Sequence, residues 1–349
     1  MLLLTNQEIA SLLSIEDCLA ALEKMYRAMA GGEAVGTPRI DTMLALDEEH
    51  VYSFKQMGGV IRGGIQALRV NSDVLEYPLI GDARRRVKLP RAKGRWVGLI
   101  YLFDPETGLP EAILPDGVIQ HLRVGATSGL AARELAPRDC REVALLGSGW
   151  QAESALLALD AVLRPQRVHV YSPDPDHRRA FREKMAGKVS AEVVEEASAA
   201  AAVAPAAVVF SATNSMSPVL TEAWIRPGMH FSTVKTQEVD AAFLARGRVF
   251  LHTRGQLKQQ MMMAAGQRSP EAEEGWWRGQ AVHSYPDLVD LLSGKVPGRQ
   301  GDEEVTIFVN NIGLGLQFAA VGAVVLSKAR ELGVGRDLPD HWFTEDVHP

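Results

Sequence analysis

The stretch from Val143 to Ala152, Val-Ala-Leu-Leu-Gly-Ser-Gly-Trp-Gln-Ala, constrains the fold of this chain more than any other feature. Its first four residues form a short apolar run that is typical of a buried parallel strand. Gly147, Gly149 and Ala152 then follow the G-x-G-x-x-G/A spacing. In that motif the first glycine permits a tight turn and the second lets the backbone approach a pyrophosphate. The sequence therefore predicts a dinucleotide-binding turn.

A helix and a second strand follow the glycine turn, as such a site requires. Ala152 to Leu163 is rich in alanine and leucine and predicts a helix whose N-terminal amides face the phosphates. Arg167 to Tyr171 is typical of a strand and completes a β-α-β unit. The alternative is a glycine turn in an α/β fold without a ligand, and the order of the elements favours the nucleotide site. The residues predicted to contact the dinucleotide are Gly147, Ser148, Gly149, Trp150, Gln151, Ser172, Arg178, Thr213 and Val234.

Composition and charge restrict the class of protein. The chain has 349 residues, of which 46% are hydrophobic and 23% charged, and this suits a globular protein of about two domains. The formal net charge of −6 argues against a nucleic-acid partner. Cys18 and Cys140 form neither a disulfide framework nor a metal cluster, which favours a cytoplasmic location. The first residues lack the basic segment and cleavage site of a signal peptide.

One apolar segment resembles a membrane-spanning helix in its composition. Ile312 to Leu326 is apolar and glycine-rich, but it is shorter than the roughly 20 residues of a membrane span, and Gln317 interrupts it. We expect a buried helix at a domain or subunit interface and no membrane association.

The chain shows two successive patterns of secondary structure. Thr5 to Ala30 predicts two short helices, and Thr5 can cap the first of them, with Glu8 three residues on. Residues 37–114 contain short strands joined by turns, as in an antiparallel α+β domain. A long helix over Asp116 to Leu135 leads to the nucleotide strand, and its small residues predict close packing on one face. Strands and helices then alternate to about residue 310, and one of these strands is expected over Val189 to Val194. The fold class is therefore α/β, a Rossmann domain plus an α+β domain.

Two apolar clusters lie near the end of the alternating region. Met261 to Met263 and the pair Trp276–Trp277 are typical either of a partner surface or of helix packing. We favour helix packing.

Short motifs from about residue 35 to 345 resemble the ornithine cyclodeaminase/μ-crystallin superfamily. They are Thr37-Pro-Arg39, Thr107-Gly-Leu-Pro-Glu-Ala, Ile119-Gln-His-Leu-Arg123-Val-Gly-Ala-Thr-Ser, Gly147-Ser-Gly-Trp-Gln-Ala, Ser211-Ala-Thr-Asn-Ser, Arg226-Pro-Gly-Met-His and Thr306-Ile-Phe. The resemblance implies a homodimer with a substrate-binding and dimerisation domain, residues 1–122 with 311–349, which the C-terminal helix completes. It also implies a Rossmann domain over residues 123–310 that binds NAD(H) or NADP(H).

The resemblance leaves three functions open. We predict an NAD(P)-dependent oxidoreductase that converts a small imine, or a 2-oxo acid plus an amine, into an α-amino acid. The alternatives are an ornithine- or lysine-type cyclodeaminase with internally recycled NAD, and a μ-crystallin-like protein that binds NADPH and a ligand. Gln237 stands where cyclodeaminases place an aspartate, and Glu238 is offset by one, which argues against cyclisation.

The substrate residues are predicted from the same resemblance. Arg39 and Arg123 match the arginines that hold the substrate carboxylate, a task that suits the planar guanidinium fork. The family also has a pocket lysine, and two residues compete for its role. Lys55 lies in the sequence context of the cyclodeaminases, whereas Arg69 stands where most members have lysine and would bind without donating a proton. We therefore name Lys55, Arg69 and Arg123 as candidate catalytic residues.

The end of the second strand bears on the choice of dinucleotide. NAD sites carry an acidic residue about 20 residues beyond the glycines, where it binds the ribose 2′-hydroxyl. Here Tyr171-Ser-Pro173 occupies that place, followed by Asp174, Arg178 and Arg179. A hydroxyl followed by arginines suits a 2′-phosphate, so we predict NADP, with NAD as the alternative because of Asp174.

The segment from Leu75 to Arg95 is expected to form a basic loop at the substrate pocket. Its basic residues are Arg84, Arg85, Arg86, Lys88, Arg91, Lys93 and Arg95. The loop is either simply solvated, or it receives a second anionic group of the substrate or a phosphate of the cofactor.

Three histidines are candidate metal ligands by residue type alone. His121, His230 and His252 are scattered and have no H-x-x-x-H spacing, so we expect structural roles and no metal site.

Overall fold

The first part of the molecule is an α+β region. The computed structural model describes residues 1–80, 83–254, 260–264 and 275–347. The elements of this region are β1 (Leu2–Leu3), α1 (Asn6–Leu12), α2 (Ile15–Ala30), β2 (Ala34–Gly36), β3 (Ile40–Ala45), β4 (Val51–Ile61), β5 (Gln66–Glu76), β6 (Leu79–Ile80), β7 (Ala83–Arg84), β8 (Val87–Leu89), β9 (Val97–Phe103), β10 (Pro110–Pro115) and α3 (Gly117–Leu135). Thr5 and Glu8 form the capping box that starts α1, as the sequence predicts.

The second part alternates strands and helices. Its elements are β11 (Glu142–Leu146), α4 (Trp150–Leu163), β12 (Arg167–Tyr171), α5 (Pro175–Met185), β13 (Glu192–Glu195), α6 (Ala199–Val203), β14 (Val208–Ser211), β15 (His230–Thr233), α7 (Ala241–Leu244), β16 (Arg248–Leu251), β17 (Gln260–Met263), α8 (Leu288–Leu292), β18 (Thr306–Val309), α9 (Gly315–Leu332) and β19 (Arg336–Asp337).

Two large sheets organise these elements. The second sheet is parallel throughout, in the order β13-β12-β11-β14-β15-β18-β16. This order places β11 and β14 side by side where the strand sequence reverses, the position at which doubly wound folds bind nucleotides. The first sheet, in the order β17-β3-β4-β5-β9-β10-β1-β19 with β2 and β8 attached, is mainly antiparallel. The predicted fold class is confirmed.

Helix α3 connects the two sheets and packs closely on α4. A Cβ on Gly125 would lie 2.1 Å from the carbonyl oxygen of Ser154, and one on Gly129 would lie 2.9 Å from the Cβ of Ala158. The small residues of this helix therefore permit the close packing that the sequence predicts. The predicted domain boundary at residues 122 and 123 falls inside this continuous helix.

The C-terminal helix α9 is buried against the first sheet. A Cβ on Gly59 of β4 would lie 2.8 Å from the side chain of Leu316, so glycine is required where helix and sheet meet. This confirms the expectation of a buried helix over the apolar segment that begins at Ile312. Among the described residues, no helix is both long and apolar enough to cross a membrane.

Three local expectations are wrong. Met261 to Met263 belong to β17, an edge strand parallel to β3, rather than to a helix contact. The strand expected over Val189 to Val194 begins only at Glu192, because the carboxylate of Asp160 binds the amides of Ser190 and Ala191. The basic segment after Leu75 is partly strand, since β5 continues to Glu76 and pairs with β8.

Candidate active site

A cavity of about 1250 Å³ lies between the two sheets. One wall is formed by the glycine turn after β11 and the loops after β12, β14 and β15. The other wall is formed by side chains of the first sheet and of α3. The predicted residues Arg39, Lys55, Arg69 and Arg123 all line it, as do Gly147, Ser148, Gly149, Trp150, Gln151, Ser172, Thr213 and Val234. The structure thus brings both predicted sets of residues to one space.

The glycine turn has the geometry that a pyrophosphate requires. Gly147 has a φ of +113°, and a Cβ there would lie 2.4 Å from the carbonyl oxygen of Ala212, so only glycine fits. Gly149 caps α4 without any side-chain hydrogen bond, and a Cβ on it would meet nothing within 4 Å. The first amides of α4 and its positive dipole end therefore face open space, which fits a dinucleotide phosphate.

The residues that flank the turn are held by contacts with their neighbours. Trp150 stacks on His121 of α3 with 4.8 Å between the ring centroids. Ser148 donates a hydrogen bond to the hydroxyl of Ser172 at 2.8 Å, which joins the ends of β11 and β12. Burial lowers the pKa of His121 to about 4, so this ring is neutral at pH 7.

Two charged residues, Asp174 and Arg178, lie at the end of β12. Asp174 caps α5, and its Oδ1 accepts hydrogen bonds from the amides of Asp176 and His177. Arg178 donates to the carbonyl oxygen of Ser172, and its guanidinium carbon lies 5.7 Å from the centre of the Tyr171 ring. Of the predicted cofactor residues, Arg178 is the one absent from the cavity lining.

Antiparallel pairing brings polar side chains of three strands to one face of the first sheet. Asp41 of β3 pairs with Lys55 of β4, and Lys55 pairs with Asn71 of β5. Paired residues, and residues two positions apart, point to the same face. Arg39 and Arg69 therefore join this group. Arg39 donates from Nε to Oδ1 of Asp41 at 2.7 Å.

Arg69 is a buried cation with a fixed partner. Its Nε and Nη2 lie 2.8 and 2.7 Å from Oδ2 of Asp116, which also accepts from Asn71 at 3.1 Å. Gly98 makes room, because a Cβ there would lie 2.1 Å from Oδ1 of Asp116. Burial lowers the pKa of Arg69, and the Asp116 carboxylate opposes that shift. Arg69 is therefore suited to binding rather than to proton transfer.

Arg123 is buried in α3 without a carboxylate among its described hydrogen-bond partners. Its Nη1 donates to Oε1 of Gln317 at 3.0 Å and its Nη2 to Oε1 of Gln120 at 2.7 Å. The guanidinium carbon lies 5.2 Å from the centre of the Phe318 ring, and a Cβ on Gly313 would lie 2.7 Å from Nη1. Burial, and then the charge of Arg69, lowers the pKa of Arg123 to about 9. A substrate carboxylate would compensate this buried charge.

A buried hydrogen-bond network holds Gln317 in place behind Arg123. Nε2 of Gln317 donates to Oγ1 of Thr127 at 2.6 Å and to the hydroxyl of Tyr26 at 3.2 Å. That hydroxyl also contacts Nε2 of His252 at 2.6 Å. The network explains why a polar residue interrupts the apolar helix α9.

Lys55 is the titratable group of this wall. Its Nζ lies 3.3 Å from Oδ2 of Asp73, which Lys88 also contacts at 2.9 Å. Burial is the main cause that lowers the pKa of Lys55 to about 7, the charges of Arg86 and Arg39 lower it further, and Asp73 opposes them. Lys55 can therefore give and take a proton near neutral pH.

Glu238, for which the sequence predicts no role, joins the loops after β14 and β15 on the wall that contains the glycine turn. It is fully buried, and its Oε1 accepts from Oγ of Ser211 at 2.8 Å and from the amide and Oγ1 of Thr213 at 2.7 Å each. Its Oε2 accepts from the amides of Val234 and Lys235 at 3.0 and 3.2 Å. Burial raises the pKa of Glu238, and the hydrogen bonds that it accepts oppose the shift.

Replacing Glu238 by glutamine is expected to lower the free energy of unfolding by about 2 kcal/mol. The amide Nε2 would face backbone N–H donors where a carboxylate oxygen now accepts, so buried donors lose their partners. Urea unfolding measures the effect, with the exposed Glu303→Gln as control. A variant within about 0.5 kcal/mol of the native protein would contradict this role.

The histidines take the structural positions that the sequence predicts. His230 is fully buried and its Nδ1 lies 2.9 Å from Oγ1 of Thr306, while His252 is enclosed by Tyr26 and the carbonyl of Ile312. Burial lowers the pKa of both to about 3. Among the described residues, no group of His, Cys, Asp or Glu side chains could hold a metal ion.

The basic segment divides into two sets. Arg85, Arg86 and Lys88 line the cavity. The others, Arg84, Arg91, Lys93 and Arg95, are exposed and lie outside the lining.

Comparison with known proteins supports the predicted family. Residues 85–332 match the sequence model of the ornithine cyclodeaminase/mu-crystallin family. The chain is 28% identical to an iminosuccinate reductase of Paracoccus denitrificans, over 97% of this chain and 99% of that protein. It is also 28% identical to an alanine dehydrogenase of Archaeoglobus fulgidus, over 96% and 97% respectively.

Solved structures agree with this assignment. The iminosuccinate reductase of Paracoccus denitrificans in complex with NAD+ superposes with a TM-score of 0.76 at 25% identity, over 97% of this chain and 99% of that chain. The Δ1-pyrroline-2-carboxylate reductase of Thermococcus litoralis, with NADH and L-proline, has a TM-score of 0.79 at 24% identity, over 97% and 100%. The predicted resemblance is confirmed, and the names of these relatives support the predicted type of reaction.

Proposed function

The chain belongs to the ornithine cyclodeaminase/mu-crystallin family, and we propose that it is an NAD(P)H-dependent oxidoreductase acting on a small α-imino acid. The imine, formed from a 2-oxo acid and an amine, is reduced to an α-amino acid. The observation that carries this proposal is the shared cavity, in which the glycine turn faces a wall containing Arg39, Lys55, Arg69 and Arg123.

The chain's own residues bind the substrate and supply a proton. The reduced dinucleotide, when bound at the glycine turn, supplies the hydride. Arg123 and Arg39 hold the α-carboxylate, which fixes the imine carbon in position. Lys55 donates a proton to the imine nitrogen and is reprotonated from solvent, so that hydride and proton together convert C=N into CH–NH. Gln237 also lines the cavity, and its amide cannot serve as the base that cyclodeamination needs.

NADP(H) is the proposed form of the dinucleotide. The end of β12 has the hydroxyl of Ser172 where NAD sites have an acid, and the Asp174 carboxylate is engaged in capping α5. Arg178 lies beside Ser172 and supplies positive charge for a 2′-phosphate.

Oxidation of NADPH and NADH in the presence of imines tests both proposals. We expect turnover of Δ1-pyrroline-2-carboxylate and of pyruvate with ammonia, no turnover of 1-pyrroline, which lacks the carboxylate, and at least about tenfold higher kcat/KM with NADPH. Tight NADPH binding without turnover of any carboxylated imine would indicate a ligand-binding protein. Ammonia release from ornithine without net oxidation of the dinucleotide would indicate a cyclodeaminase.

A homodimer in the cytoplasm is the proposed assembly and location. Leu44, Leu68 and Met262 are 46%, 37% and 60% exposed, and Leu68 lies on the face of the first sheet opposite Arg69. Apolar side chains on one sheet face suit an interface between copies of the chain. Cys18 and Cys140 are both free thiols, which suits the proposed location in the reducing cytoplasm. Light scattering should give a molar mass twice that of the chain, and a single-chain mass would contradict the dimer.

A further inference from the structure

We infer that the substrate carries a second anionic group on its side chain, and that Arg85 and Lys88 bind it. The substrate would then be an imino dicarboxylic acid or an analogue with another acidic side chain. This inference rests on the proposed function, because the second group belongs to the same α-imino acid that Arg123 holds.

On the cavity wall formed by the first sheet and α3, which we call the cationic wall, cations outnumber the described carboxylates that pair with them. Among the cationic side chains that line it are Arg39, Lys55, Arg69, Arg85, Lys88 and Arg123. The ion pairs described here involve three carboxylates, those of Asp41, Asp73 and Asp116, and Asp73 is shared between Lys55 and Lys88. A single substrate carboxylate at Arg123 leaves the charge of Arg85 without a carboxylate among the pairs described here. Lys55 and Lys88 still share the one carboxylate of Asp73.

Arg85 extends this cationic wall across the cavity. Its Nη1 donates to the neutral side-chain oxygen of Asn214 at 2.7 Å, and its buried Nε has no hydrogen-bond partner among the described residues. Arg85 also forms an isolated β-bridge with Ser215. Arg85 therefore brings a positive charge to the cavity with no carboxylate among its described hydrogen-bond partners.

The spacing of the cations suits a short substrate. Lys55 is level with Asn71, two residues from Arg69 on β5, which is about 7 Å along a strand. The ammonium of Lys88 contacts the same oxygen of Asp73 as Lys55 does. Arg69 and Arg123 lie near each other, since both guanidinium carbons are 5.2 Å from the centre of the Phe318 ring. A carboxylate at Arg123 and a second acid near Lys88 can therefore belong to one small molecule.

The topology argues against a cofactor phosphate as the ligand of this site. Strands β12 and β14 lie on opposite sides of β11. Ser172 and Arg178 follow β12, where the adenosine ribose is proposed to bind. Arg85 contacts Asn214, which follows β14, on the opposite side of the glycine turn. The cationic wall thus lies toward the reacting end of the dinucleotide.

Acids and their neutral amides test the inference, because each pair differs mainly in charge. Aspartate and asparagine, and glutamate and glutamine, are compared as substrates for oxidation with NADP+. Their binding in the presence of NADP+ is measured by calorimetry. We expect an acid to exceed its amide about 100-fold in kcat/KM. O-phosphoserine is compared with serine, and a larger preference there identifies the second group as a phosphate rather than a carboxylate.

Variants locate the second site. Arg85→Leu should reduce the preference for the acid to below about tenfold and leave the value for the amide within about threefold. Lys88→Met should reduce the same preference, but it should lower kcat/KM for both substrates, because Lys88 shares an oxygen of Asp73 with Lys55. Two variants are used because Arg85 also contacts Asn214. Arg95→Leu, an exposed arginine of the same segment outside the cavity, should change neither value.

Binding separates failure of this inference from failure of the proposed function. Equal binding of acid and amide, or equal losses for both in the two variants, overturns the inference whatever the turnover. Absence of turnover with every amino acid and imine contradicts the proposed function. If acids still bind at least about tenfold more tightly than amides, and Arg85→Leu removes the difference, the second anionic site is supported even though the proposed function fails.

Discussion

Replacing Lys55 by methionine is expected to lower kcat about 10³-fold, because a positioned general acid contributes roughly 10²–10⁴ to such reactions. Lys55 is the lysine whose pKa is lowered to about 7 by burial and by the charges of Arg86 and Arg39. It is protonated below that pH and loses the proton as the pH rises through it. Native kcat/KM should therefore fall above about pH 7, and this alkaline limb should disappear in the methionine variant.

Lys55→Arg is the matched control for this prediction. Arginine keeps the positive charge but does not release its proton at these pH values. The expected result is a KM close to that of the native protein with kcat as low as in Lys55→Met. Steady-state kinetics from pH 5 to 10 measures both. A methionine variant that keeps more than about a tenth of native kcat, or an unchanged alkaline limb, would show that the proton comes from elsewhere.

Arg123→Lys is expected to lower kcat/KM by about 10²-fold or more, roughly 3 kcal/mol. Arg123 is held by Gln317 and Gln120 and lies against the Phe318 ring, so its planar fork has one orientation. Lysine keeps the charge but loses the fork, and the α-carbon of the substrate is then misplaced. Affinity for NADPH should change little, because the glycine turn is untouched.

Arg133→Lys provides a control on the same helix. Arg133 lies near the end of α3, pairs with Glu23 and Glu134 and is outside the cavity lining. This variant should keep native kinetics. Steady-state rates on a carboxylated imine, together with NADPH titration by fluorescence, measure both variants. Near-native kcat/KM for Arg123→Lys would place the carboxylate clamp elsewhere.

Local sequence patterns predicted the nucleotide half of the molecule well. Gly147 carries a geometric requirement that any chain must meet with the same residue type, because its φ is +113° and a Cβ there would lie 2.4 Å from the carbonyl oxygen of Ala212. The capping box at Thr5 is predictable for the same reason. In contrast, β17 depends on pairing with β3, more than 200 residues away in the sequence, and no local pattern in three methionines indicates it.

The sequence predicts the cations that line the candidate site, but it does not predict the residues that hold them in place. The sequence indicates Arg123, whereas its partner Gln317 is visible there only as an interruption of an apolar segment. A polar residue within a buried helix is the signal that could have identified it, because such a residue needs buried partners. The pairing of Arg69 with Asp116 gave no signal, since it joins distant positions through the gap left by Gly98.

Glu238 illustrates the limit of motif alignment. The sequence shows only that Glu238 is one residue away from the position of the cyclodeaminase aspartate, and it indicates no other role for this residue. The structure instead gives it five hydrogen bonds, from the last residue of β14 and from the loops after β14 and β15. The burial of a carboxylate depends on tertiary packing, which the local sequence does not specify.

Transfer of deuterium tests the central claim most directly, namely that the glycine turn and the cationic wall serve one reaction in one cavity. The protein is incubated with NADPH deuterated at the transferable position of the nicotinamide and with a carboxylated imine, and the product is analysed by mass spectrometry and NMR. We predict an α-amino acid with one deuterium on its α-carbon. An amino acid without deuterium, or no amino acid from any carboxylated imine, would contradict the claim.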